Sequence, residues 1–418
     1  MDLRAEAVRL FGAAVAAADP AGALRRAILS HPVEAPLPGG AYIVIAVGKA
    51  AVPMAEAALD MLTDAPVRAL VVTNYENARP IGGAVVMAAG HPVPDEYGAA
   101  AGAAVADLLQ AAGERDRVIA LISGGGSALL PAPAPGLTLA DKVAVNRLLL
   151  ANGFEITEIN LIRQQLSRLK GGGMLRLAAP APVTGYILSD VIGDDLRAIA
   201  SGPTVAPLGT RADARQLLQG RGLWADLPQA VRVHLEAPEE ARALVPQATN
   251  HLIGSNRASL AAAAAAFGPG ARVVSDRLVG DVAAAAAEIV AAATTPGTST
   301  CLIFGGETTV TLRGTGKGGR NQELALRVAM AMPKLGRPWV FLSGGTDGRD
   351  GPTDAAGGIV DAGTTARIRA GGGDPVALLA DNDSHRALGL AGDLLITGAT
   401  GTNVADVQIL LLGPPQQG

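Results

Sequence analysis

The stretch from Leu302 to Glu323 holds the densest set of groups able to do chemistry. It reads Leu302-Ile-Phe-Gly-Gly-Glu-Thr-Thr-Val-Thr-Leu, then Arg313-Gly-Thr-Gly-Lys-Gly-Gly-Arg320-Asn-Gln-Glu323. The pattern predicts a buried strand ending at Phe304, a glycine turn, a short second strand and an open glycine loop. A helix is expected from about Asn321. A loop with few side chains exposes its backbone N–H groups, and such groups beside a helix N-terminus suit an anion, phosphate above all. Lys317 and Arg320 add positive charge, and Arg can grip a phosphoryl group with two parallel hydrogen bonds. Gly318, Gly319 and Asn321 are the expected phosphate contacts. The competing reading is a long hairpin loop with two solvated cations.

Two more glycine turns carry reactive neighbours. Lys49 follows the apolar run Ala41-Tyr-Ile-Val-Ile-Ala-Val-Gly48 and precedes a helical stretch. A cation there opposes the positive end of the helix dipole, a placement eased by a phosphate between them. Ser123-Gly124-Gly125-Gly126-Ser127 follows the strand-like Arg117-Val-Ile-Ala-Leu-Ile and is a second anion cradle, or simply a tight turn. Acids gather in two other turns. Asp347, Asp350 and Asp354 fall within eight residues, and Asp190, Asp194 and Asp195 form a similar group. With Glu307 they offer hard oxygen ligands suited to Mg²⁺ held partly by nucleotide phosphates. Asp190, Asp347 and Glu307 are the metal candidates, weighed against the frequent use of Asp-Gly pairs in turns. His91 reads as structural, and no Ser-His-Asp set can be assembled. Cationic loops, glycine turns and carboxylates together point to phosphoryl transfer, which needs placement and charge neutralisation more than covalent help.

The elements that must position these groups alternate. Residues 4–29 have helical spacing. Strand–turn–helix units follow around 41–60, 68–73, 84–95 and 117–130, and a helix over Leu139 to about Leu150 has Thr138 as its cap. Residues 155–170 predict another helix. Ile159, Ile162, Leu166 and Leu169 form its buried stripe, and Asn160, Arg163, Ser167 and Lys170 form a second stripe about 100° away. Residues 205–248 turn rich in Pro, Gln, Arg and Glu and read as a linker or peripheral helical layer. The domain boundary is placed near 245, giving domains 1–245 and 246–418. Alternation resumes at His251 and runs to the end. Strands apolar on both faces imply two Rossmann-like αβα sandwiches with largely parallel sheets, whose ligands sit at the carboxyl ends of the strands.

Composition narrows the partners. The chain has 418 residues, too many for one ordinary core. Net charge is −4 and aromatic residues are 3%, so nothing favours nucleic acid. Cys301 is the one cysteine, which excludes a disulfide framework, and it reads as inert filler in a buried strand. The N-terminus does not read as a secretion signal and no stretch is long enough for a membrane span, so a cytoplasmic protein acting on small molecules is expected. A homo-oligomer is compatible with this composition. Gly-x-x-x-x-Gly-Lys-Ser/Thr is missing, as is a convincing Gly-x-Gly-x-x-Gly between strand and helix, which argues against a P-loop and against a dinucleotide site.

The motifs together resemble the class II glycerate 2-kinases, whose C-terminal part is called MOFRL. Matching stretches are Val47-Gly-Lys49-Ala, Gly90-His-Pro-Val-Pro-Asp95, Ser123-Gly-Gly-Gly-Ser127, Leu166-Ser-Arg-Leu-Lys170-Gly-Gly and Ser189-Asp-Val-Ile-Gly-Asp-Asp-Leu to Ser201-Gly-Pro-Thr204. The C-terminal half adds Gly305-Gly-Glu, Gly318-Gly-Arg-Asn-Gln-Glu323, Ser343-Gly-Gly-Thr-Asp-Gly, Gly351-Pro-Thr-Asp and Thr397-Gly-Ala-Thr-Gly-Thr-Asn-Val. The resemblance covers nearly the whole chain. It implies two α/β domains with the active site in the cleft between them, and phosphorylation of D-glycerate to 2-phosphoglycerate with ATP and Mg²⁺. Lys49 and Arg320 would be the catalytic cations. The Ser123–Ser127 loop, Arg163 and Lys170 would bind phosphate or substrate, with the glycerate carboxylate on that loop or on Arg163. One departure stands out: the family often has Lys-His where this chain has Gln164-Gln165, which puts a role for that His in question here. Two other readings stay open, an NAD(P)H-dependent hydroxypyruvate reductase and a non-enzymatic sensor of small acids.

Overall fold

The computed structural model describes residues 2–238, 246–295 and 300–415. The chain forms two compact α/β units. One is continuous, Pro20–Ile253; the other is split, Met1–Asp19 with Gly254–Gly418. The expected boundary at 245 lies outside the described residues. The compact units differ from the expected division in two ways. The N-terminal stretch is two helices, Leu3–Ala17 and Pro20–Ser30, and the first belongs to the split unit. Pro20 starts the second because its fixed φ suits a first helical position. The strand at Thr249–Gly254, expected to open the C-terminal domain, instead joins the sheet of the continuous unit.

In the continuous unit the strands are β1 (Tyr42–Val47), β2 (Val67–Asn74), β3 (Ala84–Ala89), β4 (Arg117–Ile122), β5 (Val183–Leu188) and β6 (Thr249–Gly254). Their order is β3-β2-β1-β4-β5-β6. The pairs β3–β2, β2–β1, β1–β4 and β4–β5 are parallel, as the two-faced apolar runs predict. Every residue of β1 is buried. The order reverses between β1 and β4, the place where such sheets bind ligands. The Pro/Gln-rich stretch is a helical layer and not a linker. Helices Arg211–Gly220 and Gln229–Glu236 bury Ala214, Leu218, Val231 and Leu235 against Val145, Leu149 and Ile162 of the same unit.

The split unit has β7 (Ala271–Asp281), β8 (Cys301–Thr309), β9 (Trp339–Gly345), β10 (Gly357–Asp361), β11 (Leu394–Leu395) and β12 (Asp406–Leu412), ordered β11-β10-β9-β12-β8-β7. It too is a sheet between helices, with one apolar core around Phe304 and Phe341 and another around Ile303 and Ile409. Here the parallel expectation needs correcting. Only β7–β8 is parallel; β12 runs antiparallel to both β8 and β9, and β10 to both β9 and β11. The cause is local. A loop, not a helix, joins β9 to β10, so no crossover turns the chain back. Buried apolar runs look the same in either direction, so the sequence carried no signal of it. Among the described residues no single helix is long and apolar enough to cross a membrane.

Candidate active site

Lys49 and the Ser123–Ser127 loop meet at the β1/β4 switch point. Gly48 has φ 125°, and a Cβ there would collide with Ser123, so the two turns approach closely only because residue 48 is glycine. The Ser123 hydroxyl accepts from the Ala50 N–H (3.1 Å), and the Lys49 N–H donates to the Gly124 carbonyl (2.9 Å). Asn77 Nδ2 donates to the Lys49 carbonyl (2.9 Å), fixing the turn from the other side. A Cβ on Gly124 would collide with the Asp190 carboxylate. One on Gly125 would lie 3.1 Å from the His91 ring and 3.4 Å from Lys49 Cγ. Lys49, His91, Gly125 and Asp190 therefore form one cluster at the strand ends. Burial, helped by the Lys49 charge, lowers the His91 pKa, which favours a neutral imidazole. Burial raises the Asp190 pKa against the pull of its backbone hydrogen bond and of Lys49.

A cavity of about 440 Å³ opens beside this cluster. Lys142, Arg163 and Lys170 reach it from three segments. Lys170 is 3% exposed and its ammonium donates to the Ser127 carbonyl (2.8 Å) and hydroxyl (2.7 Å). The Ser127 hydroxyl lies 2.9 Å from that of Ser201, which donates to Asn160 Oδ1 (2.9 Å). Lys142 Nζ donates to the Leu166 carbonyl (3.0 Å), and Arg163 donates through Nε (3.0 Å) and Nη2 to Asn146 Oδ1. Burial, reinforced by Arg163, pushes Lys142 down to about 7. Burial, then the charges of Lys142 and Arg163, lowers Lys170 well below the usual lysine range. Among the described residues no carboxylate forms an ion pair with any of the three.

The helix expected over 155–170 ends earlier, at Gln165. Residues 166–168 leave it to bridge the 132–134 segment, through Ala134 N to Leu166 O (3.1 Å) and Arg168 N to Ala132 O (3.0 Å). Lys170 reaches the cavity from the turn beyond, not from a helical stripe. Gln164 and Gln165 are buried fasteners. Gln164 accepts from the Leu208 N–H (2.8 Å) and donates to the Ser201 carbonyl (3.2 Å); Gln165 donates to the Gly209 carbonyl (2.7 Å). Their amides hold the 201–209 segment in place.

In the split unit, Arg320 opens the helix Arg320–Ala331. It grips Asp406 in a bidentate pair (Nε–Oδ2 2.6 Å, Nη2–Oδ1 2.9 Å) and lies 3.2 Å from Glu307. Asp406 is fully buried. Burial works against the Arg320 charge, but Asp406 and Glu307 outweigh it and raise the pKa. The glycine loop departs from expectation. Gly305 and Gly306 form no turn; β8 runs through them, and their missing side chains make room for Asn256, Leu260 and the β7 backbone at Leu278. The amides beyond serve the protein's own groups. Arg313 and Gly314 donate to Asn382 Oδ1 (2.7 and 3.0 Å), Thr315 to Asp381 Oδ1 (3.0 Å) and Lys317 to Asp383 Oδ1 (3.1 Å). Asp350 takes the Asn321 and Gln322 N–H groups (3.1 and 2.8 Å), and a Cβ on Gly319 would collide with it. That helix start therefore already holds an anion, the carboxylate of Asp350.

The structure thus gathers Lys49, Ser123, Gly124, Gly125, Gly126, Ser127, Arg163, Lys170 and Asp190 in the continuous unit. Gly318, Gly319, Arg320, Asn321, Glu307 and Asp347 lie in the split unit. Asn321 is buried and accepts from the Ser343 hydroxyl (2.6 Å), so it faces its own sheet. Asp347 accepts from the Arg349 N–H (3.0 Å), the turn role weighed for it. Among the described residues no three His, Cys, Asp or Glu side chains converge on a metal position. A Mg²⁺ carried on nucleotide phosphates needs only one or two protein carboxylates, and Asp190, packed on the Ser123–Ser127 loop, suits that demand. Sequence reasoning missed Lys142, Asn146 and Asp406. The charge of Asp406 at the head of an otherwise apolar strand was a readable signal; Lys142 sat in an ordinary amphipathic helix and gave none.

Comparison with known proteins gives the family. Residues 6–236 match a domain of unknown function (DUF4147) and residues 300–406 match the MOFRL family. A glycerate 2-kinase from Pyrococcus horikoshii is 38% identical, covering 99% of this chain and 98% of its own. A D-glycerate 2-kinase from Thermotoga maritima is 40% identical over 88% of this chain and 90% of its own. A protein from Agrobacterium vitis with the provisional name hydroxypyruvate reductase is 40% identical, covering 97% and 93%. The crystal structure of a glycerate kinase from Thermotoga maritima superposes with a TM-score of 0.90 at 36% identity, covering 98% of this chain and 99% of that one. The chain belongs to the class II glycerate 2-kinase family, with a MOFRL domain in its C-terminal half.

Proposed function

We propose that this protein transfers the γ-phosphoryl group of ATP to the 2-hydroxyl of D-glycerate, giving 2-phosphoglycerate and ADP. The observation that carries the reading is the cluster of Lys49, His91, Gly125 and Asp190 at the β1/β4 switch point, in a chain whose full-length relatives are named glycerate 2-kinases. Lys49 and Arg320 are the cations assigned to the charge of the transferred group. Arg320 is suited to it because Asp406 fixes its guanidinium in one orientation. The acceptor hydroxyl loses its proton as the oxygen–phosphorus bond forms. We assign that proton to His91, read from sequence as structural, because its imidazole borders the Gly125 turn beside Lys49 and burial favours its neutral form. Asp190 would hold a Mg²⁺ accompanying the nucleotide, which would neutralise phosphate charge. Lys170, buttressed by Ser127, holds the Ser123–Ser127 loop against the cavity.

The reductase reading has the strand order in its favour, since β3-β2-β1-β4-β5-β6 is also the order of dinucleotide enzymes. One sheet order serves many chemistries. Here the first strand-to-helix turn carries a single glycine followed by Lys49, where a pyrophosphate-binding turn needs several glycines. The test is one incubation of purified protein with D-glycerate, ATP and Mg²⁺, the product read by phosphorus NMR. A 2-phosphoglycerate signal is expected. NAD(P)H consumption on hydroxypyruvate with no phosphorylated product would overturn the proposal.

A further inference from the structure

The cavity beside the switch point is more than an acid of three carbons needs. Its volume, about 440 Å³, falls in the range of sites that enclose a whole drug-sized ligand. Its chemistry is also divided. The inner end carries Lys142, Arg163 and Lys170, three cations with no carboxylate partner among the described residues. Its exposed lining includes two large apolar side chains, Val93 and Leu150, 62% and 59% exposed, beside a further cation, Arg147. Isolated large apolar side chains on a surface are ordinary. Two of them lining a cavity that also carries several cations suit a ligand that is apolar in one part and strongly anionic in another.

Burial and their neighbouring charges disfavour the protonated forms of Lys142 and Lys170, a cost that a ligand bringing several negative charges to one place would offset. The single carboxylate of glycerate neutralises one of the three cations. A triphosphate neutralises all three, and its base would fill the space between Val93 and Leu150. We infer that the cavity lined by Lys142, Arg163 and Lys170 is the nucleotide site, with the polyphosphate on the three cations and the base between Val93 and Leu150. Arg163 then holds phosphate and not the glycerate carboxylate. The assignment rests on the kinase reading only for the identity of the ligand as ATP. Gly125, Ser127 and His91 also line the cavity, so a triphosphate lying this way points its reacting end at the Lys49 cluster.

Calorimetry on the full chain tests this with ATP, D-glycerate and inorganic tripolyphosphate as separate probes, each alone. Lys142→Met keeps the length of the side chain and removes its charge. It should weaken ATP and tripolyphosphate at least about 10-fold and leave glycerate within about 2-fold. Leu150→Ala, on the exposed lip, threatens folding least. It should weaken ATP about 3- to 10-fold and leave tripolyphosphate unchanged, which separates the base from the phosphates. Loss of glycerate binding with intact ATP binding in Lys142→Met would make the cavity the acceptor site and overturn the inference. Unchanged ATP affinity in both variants would overturn it as well. The two proposals fail separately. A protein that binds ATP through Lys142 but makes no phosphoglycerate keeps this site and loses the reaction. A working kinase whose ATP affinity ignores Lys142 and Leu150 keeps the reaction and loses this site.

Discussion

The Ser123–Ser127 loop and the Arg313–Gly319 loop are both rich in glycine, both run into a helix and both have cations close by, yet the fold treats them differently. The second is closed by its own unit: Asn382, Asp381, Asp383 and Asp350 accept from the amides of the loop and of the helix start, and Arg320 lies on Asp406 and Glu307. Beside the first, Lys170 is buried and Lys142 and Arg163 are partly buried, with carbonyl, hydroxyl and amide partners only. A cation with a carboxylate is held in one geometry. A cation without one is held ready for an anion from outside. The first arrangement suits a group that must be aimed, the second a group that must bind. Glycine content distinguishes neither, because the same amides receive a phosphate or an aspartate equally well.

The contrast can be broken experimentally, and the largest effect should come from the switch point. Lys49→Met should lower kcat by about 10²–10³, as loss of one charge-stabilising group does, with the circular dichroism spectrum unchanged. A variant within a few-fold of the parent would remove Lys49 from the reaction. Arg320→Ala should cost activity and also fold stability. It strands the buried Asp406 carboxylate, at about 2–3 kcal/mol, less than for a fully buried pair because Arg320 is one-third exposed. Adding Asp406→Asn should restore much of that stability in urea titration and none of the activity. If the double variant recovers turnover, Arg320 serves the fold alone.

The open site should also respond to pH. Lys142 sits at about 7 in the folded chain against an ordinary 10.5, so between those values the unfolded chain holds more protons. Stability of the ligand-free protein should therefore rise as pH increases from 7 toward 9. Arg163, Lys170, His91 and Arg147 share the cavity, and Lys170 shifts in the same direction. Comparing thermal unfolding of wild type and Lys142→Met isolates the lysine. The variant should be the more stable at pH 7 by up to about 2 kcal/mol, with the gap roughly halved by pH 9 and closing only toward pH 10.5. A gap independent of pH would contradict the buried, unpaired charge. The smallest effect belongs to the closed loop. Asp350→Ala should cost about 1–2 kcal/mol, the size of a lost helix cap, and leave ATP affinity unchanged.

Much of this was legible in the sequence, and for identifiable reasons. The apolar run of β1, the Gly48–Lys49 turn and the Ser123–Ser127 turn follow from local chemistry, and the helix from Leu139 begins at the Thr138 capping box. The pairing of Arg320 with Asp406 joins residues 86 apart, and no local pattern announces it. The early end of the helix at Gln165 is imposed by a bridge to residues 132–134, a tertiary demand that overrides helical periodicity. The direction of β10 and β12 was hidden because a strand buried on both faces carries no mark of its neighbour's direction. The filled state of the Arg313–Gly319 loop was hidden because its occupants, Asp381, Asn382 and Asp383, lie more than 60 residues further along the chain, and no local pattern links them to the loop.

The most direct test of the contrast is a crystal structure of the full chain with a non-hydrolysable ATP analogue. The account predicts phosphate density against Lys142, Arg163 and Lys170, with the base between Val93 and Leu150 and the Arg313–Gly319 amides still on Asn382, Asp381 and Asp383. Phosphate density on the Arg313–Gly319 loop, with that acidic turn displaced and the Lys142 cavity empty, would contradict it.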